Sequence, residues 1–243
     1  IIWPETATPL YLSSTEDAIN LVSLAAPVGG ALITGAPRQN KKLGGDRKIW
    51  NSIHVIDSSA AIISTYDKHH LVPFGEYIPF RNLINIPKLT GGRVDFSKGV
   101  GSRVMQIPGT PPVVPLICYE AIFAIQKNLS RDNLKPGWLL NLTNDAWFGM
   151  SSGPYQHFAA AQLRSVEEGL PLVRVANTGL SGVIDPYGRI KVKTQLNEEV
   201  ALESSLPAAL PKLTWFARYQ NKTFIFITLL LFLVFRLKYF YTE

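Results

Sequence analysis

Val113-Val114-Pro115-Leu116-Ile117-Cys118-Tyr119-Glu120 opens as an apolar, β-branched run and ends in the only cysteine of the chain, followed by an acid. A short apolar run bounded by a turn reads as a buried strand. Cys118 stands where that strand turns towards a helix expected over Glu120 to Leu129. A lone cysteine in such a run is commonly a small buried hydrophobe. At a strand-to-helix turn it lies beside free backbone N–H groups, which favour a thiolate and can hold a developing oxyanion.

Outward from this segment the sequence alternates between strand and helix signals. Ser13-Ser14-Thr15-Glu16-Asp17 marks a helix N-terminus, and Pro27 with Gly29-Gly30 closes that helix. Strands are expected over Ala31 to Thr34, Ile49 to Ile56, Ala61 to Tyr66, Val113 to Ile117, Trp138 to Leu142, Leu172 to Ala176 and Gly182 to Ile184. Pro154 opens a helix to about Glu168, and Asp185-Pro186-Tyr187-Gly188 is a hairpin turn into Arg189 to Lys193. The class is α/β or α+β, with sheets covered by helices. Pro73 to Lys98 departs from this scheme: it is rich in Gly and Pro yet carries Phe74, Tyr77, Ile78, Phe80, Leu83, Ile84, Ile86 and Leu89. So long a loop is commonly a functional lid, and this one is too apolar for simple disorder.

Composition narrows the function. Of 243 residues 47% are apolar and 17% charged, which excludes a disordered or low-complexity chain. The net charge of +6 comes from scattered basic residues, an arrangement that suits an anionic membrane surface better than a nucleic acid. One cysteine excludes an internal disulfide and a cysteine-based zinc site. The histidines, His54, His69, His70 and His157, lack helix-face spacing, and on a strand His69 and His70 would diverge, so no metal is expected. Ile1-Ile2-Trp3-Pro4-Glu5 reads as the end of an apolar strand without an initiator Met, and the expectation is the C-terminal part of a longer or processed chain.

Phe224 to Phe235 (FIFITLLLFLVF) is apolar nearly throughout and covers about 18 Å as a helix. Trp215, Phe216 and Tyr219 before it and Tyr239, Phe240 and Tyr241 after it extend it with aromatic belts, while Arg236 and Lys238 can snorkel. A membrane span is therefore expected over 223–241, preceded by a juxtamembrane segment 212–222. Flanking charge is nearly balanced and does not orient it.

Glu5 and Lys68, in Tyr66-Asp67-Lys68-His69-His70-Leu71, also follow apolar, strand-like segments, so both could share a pocket with Cys118. The order Glu5, Lys68, Cys118, within Trp3-Pro4-Glu5, Tyr66-Asp67-Lys68 and Ile117-Cys118-Tyr119-Glu120, resembles the nitrilase (carbon–nitrogen hydrolase) superfamily. Lys68-His69-His70-Leu71-Val72-Pro73-Phe74-Gly75-Glu76-Tyr77, Asn144-Asp145-Ala146-Trp147-Phe148-Gly149, Gly153-Pro154-Tyr155-Gln156-His157 and the segment from Arg164 to Gly182 resemble, within it, the apolipoprotein N-acyltransferases.

The resemblance implies an α-β-β-α sandwich over 1–211, followed by one transmembrane helix, in the inner membrane of a bacterium with the sandwich on the periplasmic side. It implies a monomer, no cofactor, a phospholipid acyl donor and a diacylglyceryl-lipoprotein acceptor. Cys118 would form the thioester, Glu5 would act as base, and Lys68 with the Tyr119 N–H would hold the oxyanion. Glu76 and Glu120 would keep Lys68 and Glu5 in register, Tyr119 and Trp147 would shape the pocket, and Pro73 to Leu89 would become a lid facing lipid. A soluble amidase that uses water would need neither the span nor the apolar lid. A non-catalytic membrane-tethered binding module would tolerate loss of any of Glu5, Lys68 and Cys118, and it gives no reason for the three motifs to occur together.

Overall fold

A computed structural model describes residues 1–40, 47–80, 88, 94–125 and 134–241, with side chains to residue 236. Helix α1 spans Glu16–Ser23, with Glu16 and Asp17 in its first turn. Strands β1 (Leu32–Gln39), β2 (Ile49–Ile56) and β3 (Ile62–Asp67) form an antiparallel sheet in that order. Strands β4 (Val113–Ile117), β5 (Trp138–Asn144), β6 (Leu172–Asn177), β7 (Gly182–Ile184) and β8 (Ile190–Lys193) form the second sheet, parallel from β4 to β6 and antiparallel thereafter. Helix α2 spans Gly153–Glu168, α3 Trp215–Tyr219 and α4 Lys222–Tyr241.

The alternation of side chains along the strands builds the layers. Ile33, Ile53, Val55 and Tyr66 of the first sheet pack against Val113, Ile117, Trp138, Leu140 and Leu142 of the second. The opposite faces of β4 and β5, through Val114, Leu116 and Leu139, pack on Phe158 and Ala161 of α2. Ala36 and Ile56 on the outer face of the first sheet receive Leu12 and Ala18. Helix, sheet, sheet and helix are thus stacked in that order, as an α-β-β-α sandwich requires. Each large side chain buried here is worth about 1.5–3 kcal/mol.

Two expected elements differ. In place of a helix from Glu120, Cys118–Ile122 forms a short 3-10 turn, because the Glu120 carboxylate folds back onto the Ile117 N–H at 2.8 Å; residues 126–129 of that expectation lie outside the described residues. In the expected lid, Ile78 is buried rather than lipid-facing, while Phe80 is 74% exposed. Leu83, Ile84, Ile86 and Leu89 lie outside the described residues. Helix α4 exposes its apolar side chains from Phe224 to Phe235 on all sides. Among the described residues no helix is long and apolar enough to cross a membrane.

Candidate active site

Three chain segments meet at one end of the sandwich. Cys118 follows β4 and Lys68 follows β3, so the two leave facing sheets rather than neighbouring strands of one. Glu5 lies beyond a short parallel bridge between Ile2 and Ile33, and Gly35 of β1 makes room for it. A Cβ at residue 35 would lie 2.6 Å from the Glu5 Cα and 2.5 Å from the Thr6 nitrogen. No larger residue fits that approach.

Lys68 is 1% exposed and its Nζ lies 3.0 Å from both oxygens of Glu76 and 3.9 Å from Glu5 Oε1. The turn after β3 delivers Glu76: Phe74 N–H donates to Tyr77 O and Glu76 N–H to Val72 O, and Glu76 Oε2 accepts from the Val72 N–H at 2.8 Å. Burial alone would lower the Lys68 pKa, but the carboxylates of Glu5 and Glu76 outweigh it and raise it, so the ammonium stays charged.

Glu5 is buried too, and burial raises its pKa against the pull of Lys68. Its Oε1 accepts from Asn51 Nδ2 at 2.7 Å and its Oε2 from the Asn144 N–H at 2.7 Å. Cys118 is buried, and burial, then the charge of Glu5, pushes its thiol up to about 11. The resting cluster therefore holds a thiol, a carboxylate with raised proton affinity and an ammonium ion. That combination suits transfer of the thiol proton to Glu5 as the sulfur attacks an electrophile.

Cys118 adopts φ +51°, the left-handed region that costs a non-glycine residue about 1–2 kcal/mol. Neighbouring hydrogen bonds enforce it: the Ile117 N–H is held by Glu120, and the Cys118 carbonyl accepts from Asn141 Nδ2 at 3.4 Å and His157 Nε2 at 3.2 Å. Strain held in place by the surroundings at a turn of this kind is characteristic of reactive sites.

Residues 1–207 match the family model described as carbon-nitrogen hydrolase. The chain belongs to the carbon-nitrogen hydrolase family. It is 49% identical over 216 residues to an apolipoprotein N-acyltransferase of Rhodopseudomonas palustris, which covers 86% of this chain and 39% of that protein. A second, from Bradyrhizobium diazoefficiens, is 46% identical over 216 residues, covering 87% and 40%. The chain thus spans about two fifths of the length of these curated relatives. Among solved structures, XC1258 of Xanthomonas campestris, a CN-hydrolase superfamily protein, superposes with a TM-score of 0.56 at 20% identity, covering 82% of this chain and 74% of that one, a likeness of fold.

In this member of the family the supporting residues divide. Glu76 touches Lys68. Glu120 touches neither Lys68 nor Glu5 in the described contacts. It accepts instead from the N–H groups of Ile117, His69 and His70 and from the Tyr66 hydroxyl, tying the Lys68 loop to the Cys118 turn. Tyr119 is half-buried with its ring edge-on to Phe123, and Trp147 is largely exposed on the short turn Asp145–Phe148. His69 and His70 do not diverge: they lie past the end of β3, their ring centroids are 4.2 Å apart, and with Glu120 they place ligand-type atoms within 4.8 Å of one another. The hydrogen bonds that fill Glu120 account for that cluster.

The sequence reading assigned no role to Asn51, Thr143, Asn144, Asp145, His157 or Arg174. A signal existed for three of them. Asn51, Thr143 and Arg174 interrupt apolar strands at buried positions, as Asn141 also does, and such groups need buried partners.

Proposed function

We propose that the chain is the catalytic part of an apolipoprotein N-acyltransferase, which moves an acyl chain from a phospholipid to the N-terminal amine of a diacylglyceryl cysteine on a lipoprotein. The observation that carries this reading is the buried Glu5–Lys68 pair beside the raised thiol of Cys118. The names of the relatives supply N-acyl transfer to an apolipoprotein; the phospholipid donor follows from the motif resemblance.

In the first half-reaction Glu5 takes the thiol proton while the sulfur attacks the ester carbonyl. Lys68 and the Tyr119 N–H hold the tetrahedral oxyanion. Collapse breaks the C–O bond, and Glu5 returns the proton to the departing lysophospholipid alkoxide, leaving a thioester on Cys118. In the second half the neutral α-amine attacks the thioester, Glu5 takes a proton from the nitrogen, and the C–S bond breaks. The thiolate recovers that proton.

Residues 1–211 form the catalytic sandwich in this reading, 212–222 the juxtamembrane segment and 223–241 a span in the bacterial inner membrane, with the sandwich on the periplasmic side. The all-round exposure of Phe224–Phe235 supports it, since water leaves so large an apolar surface without a partner and lipid does not. Phe80 and Trp147, exposed and a few residues along the chain from Glu76 and Asn144, suit contact with acyl chains, and the enzyme works as a monomer without a cofactor.

The test is intact mass after incubating the full-length protein with phospholipid and no acceptor. One acyl chain should appear on Cys118, be released by neutral hydroxylamine and be absent from Cys118→Ala. Adduct that transfers to water but never to a lipoprotein amine would replace the acyltransferase with an amidase-type hydrolase.

A further inference from the structure

A charged network lies buried on the α2 side of the second sheet, beneath the nucleophile turn, and the proposed chemistry leaves it unused. Arg174 of β6 is 1% exposed. Its Nε donates to Leu180 O, its Nη1 to the side-chain oxygen of Asn141, and its Nη2 to Asp145 Oδ2 at 2.8 Å. Asn141 and Arg174 are lateral partners in the β5–β6 register, which is why the guanidinium reaches the amide. Asp145 Oδ1 lies 2.8 Å from Nδ1 of His157, and burial of that carboxyl is outweighed by His157 and Arg174, which hold its pKa low. Gly179 closes the cluster: a Cβ there would sit 2.2 Å from Asp145 Oδ2.

The network ends on a single peptide group. Nε2 of His157 faces the Cys118 carbonyl at 3.2 Å, so that nitrogen carries a proton and donates it. Asn141 Nδ2 reaches the same oxygen and also the Leu116 carbonyl. A trans peptide is planar, with its C=O and N–H pointing in opposite directions. Donors that pin the Cys118 carbonyl therefore set the direction of the Tyr119 N–H, and hydrogen bonding at the oxygen polarises that N–H as a donor.

We infer that His157, held by Asp145 and Arg174, is a positioning residue that aims the Tyr119 N–H at the oxyanion formed on Cys118. The inference rests on the acyl-transfer reading above. It explains why an arginine, an aspartate and a histidine are buried together behind the Cys118 turn, since leaving such charges unpaired in a core would be costly.

Two reactions of Cys118 separate this role from simple support of the fold. Acylation by a p-nitrophenyl ester passes through a tetrahedral oxyanion, whereas alkylation by iodoacetamide does not. In the full-length protein His157→Leu should slow ester acylation about tenfold while leaving alkylation and the apparent ester affinity unchanged. His157→Gln, whose amide N–H can reach the same carbonyl, should recover acylation to within about threefold of the parent. His157→Asn, too short to reach, should repeat the leucine result and decides the question if His157→Leu does not fold. An equal fall in alkylation and acylation, or parent-like acylation in both loss variants, would overturn the proposal. The ester needs no phospholipid, so a failure of the phospholipid experiment leaves this result standing. Ester acylation that persists in Cys118→Ala would instead refute the nucleophile, and this inference with it.

Discussion

Asn51 Nδ2 donates to Glu5 Oε1 at 2.7 Å, and the same nitrogen lies 3.0 Å from Glu76 Oε1. One amide on the middle strand of the first sheet thus spans the two carboxylates that flank Lys68. It also favours the ionised form of Glu5, opposing the rise caused by burial.

Asn51→Leu should therefore raise the Glu5 pKa further. Glu5 must be ionised to accept the thiol proton, so the acid limb of the acylation rate, lost as pH falls through that pKa, should move to higher pH. The rate at neutral pH should drop about tenfold. A pH profile of Cys118 acylation checks this, and an unmoved limb would separate Asn51 from the base.

The backbone at Cys118 predicts an exchange of stability for activity. Glycine adopts φ +51° without the steric cost borne by other residues. Cys118→Gly should be more stable than Cys118→Ala by about 1 kcal/mol, while both are inactive. Thermal or denaturant midpoints of the two variants decide it; equal midpoints would mean that the turn stores no such strain.

Ile78 and Phe80 lie two residues apart and should respond oppositely to a charge. Ile78 is 4% exposed, and Ile78→Asp should cost roughly 3 kcal/mol or more of stability. Phe80→Asp should change stability by less than about 0.5 kcal/mol yet weaken binding to phospholipid vesicles. Vesicle sedimentation beside thermal unfolding measures both, and intact vesicle binding in Phe80→Asp would remove that side chain from the lipid surface.

His54 makes the sandwich acid-sensitive. Its Nδ1 meets the Thr65 hydroxyl, and burial lowers its pKa from 6.5 to about 4. The folded state then binds fewer protons than the unfolded chain. Its contribution is complete above the unfolded value and is lost as pH falls from about 6.5 towards 4, a difference of about 3 kcal/mol. His54→Leu should flatten that part of the stability–pH curve. The same slope in both proteins would show that other groups set it.

The sequence by itself determined most of the scaffold. The β2, β4 and β7 segments stand where their β-branched runs predicted them, and α2 begins at Gly153, one residue before Pro154. The reason is local: period-two apolar patterning, turn residues and helix-start chemistry act over a few residues. Glu5, Lys68 and Cys118 were legible as chemistry at strand ends, and the family pattern joined them into one site. Tertiary structure alone decided which groups surround them. Glu120 was expected beside Lys68 and Glu5, yet its carboxylate is captured by the Tyr66 hydroxyl and the N–H groups of His69, His70 and Ile117. Ile78 went inward from a segment that reads as a surface loop. Asn51 meets Glu5, and Arg174 meets Asp145, across 46 and 29 positions of chain. Such partnerships carry no periodic signal, because they follow from how two sheets and a helix stack, and a buried polar side chain declares in the sequence only that it needs a partner, not which one.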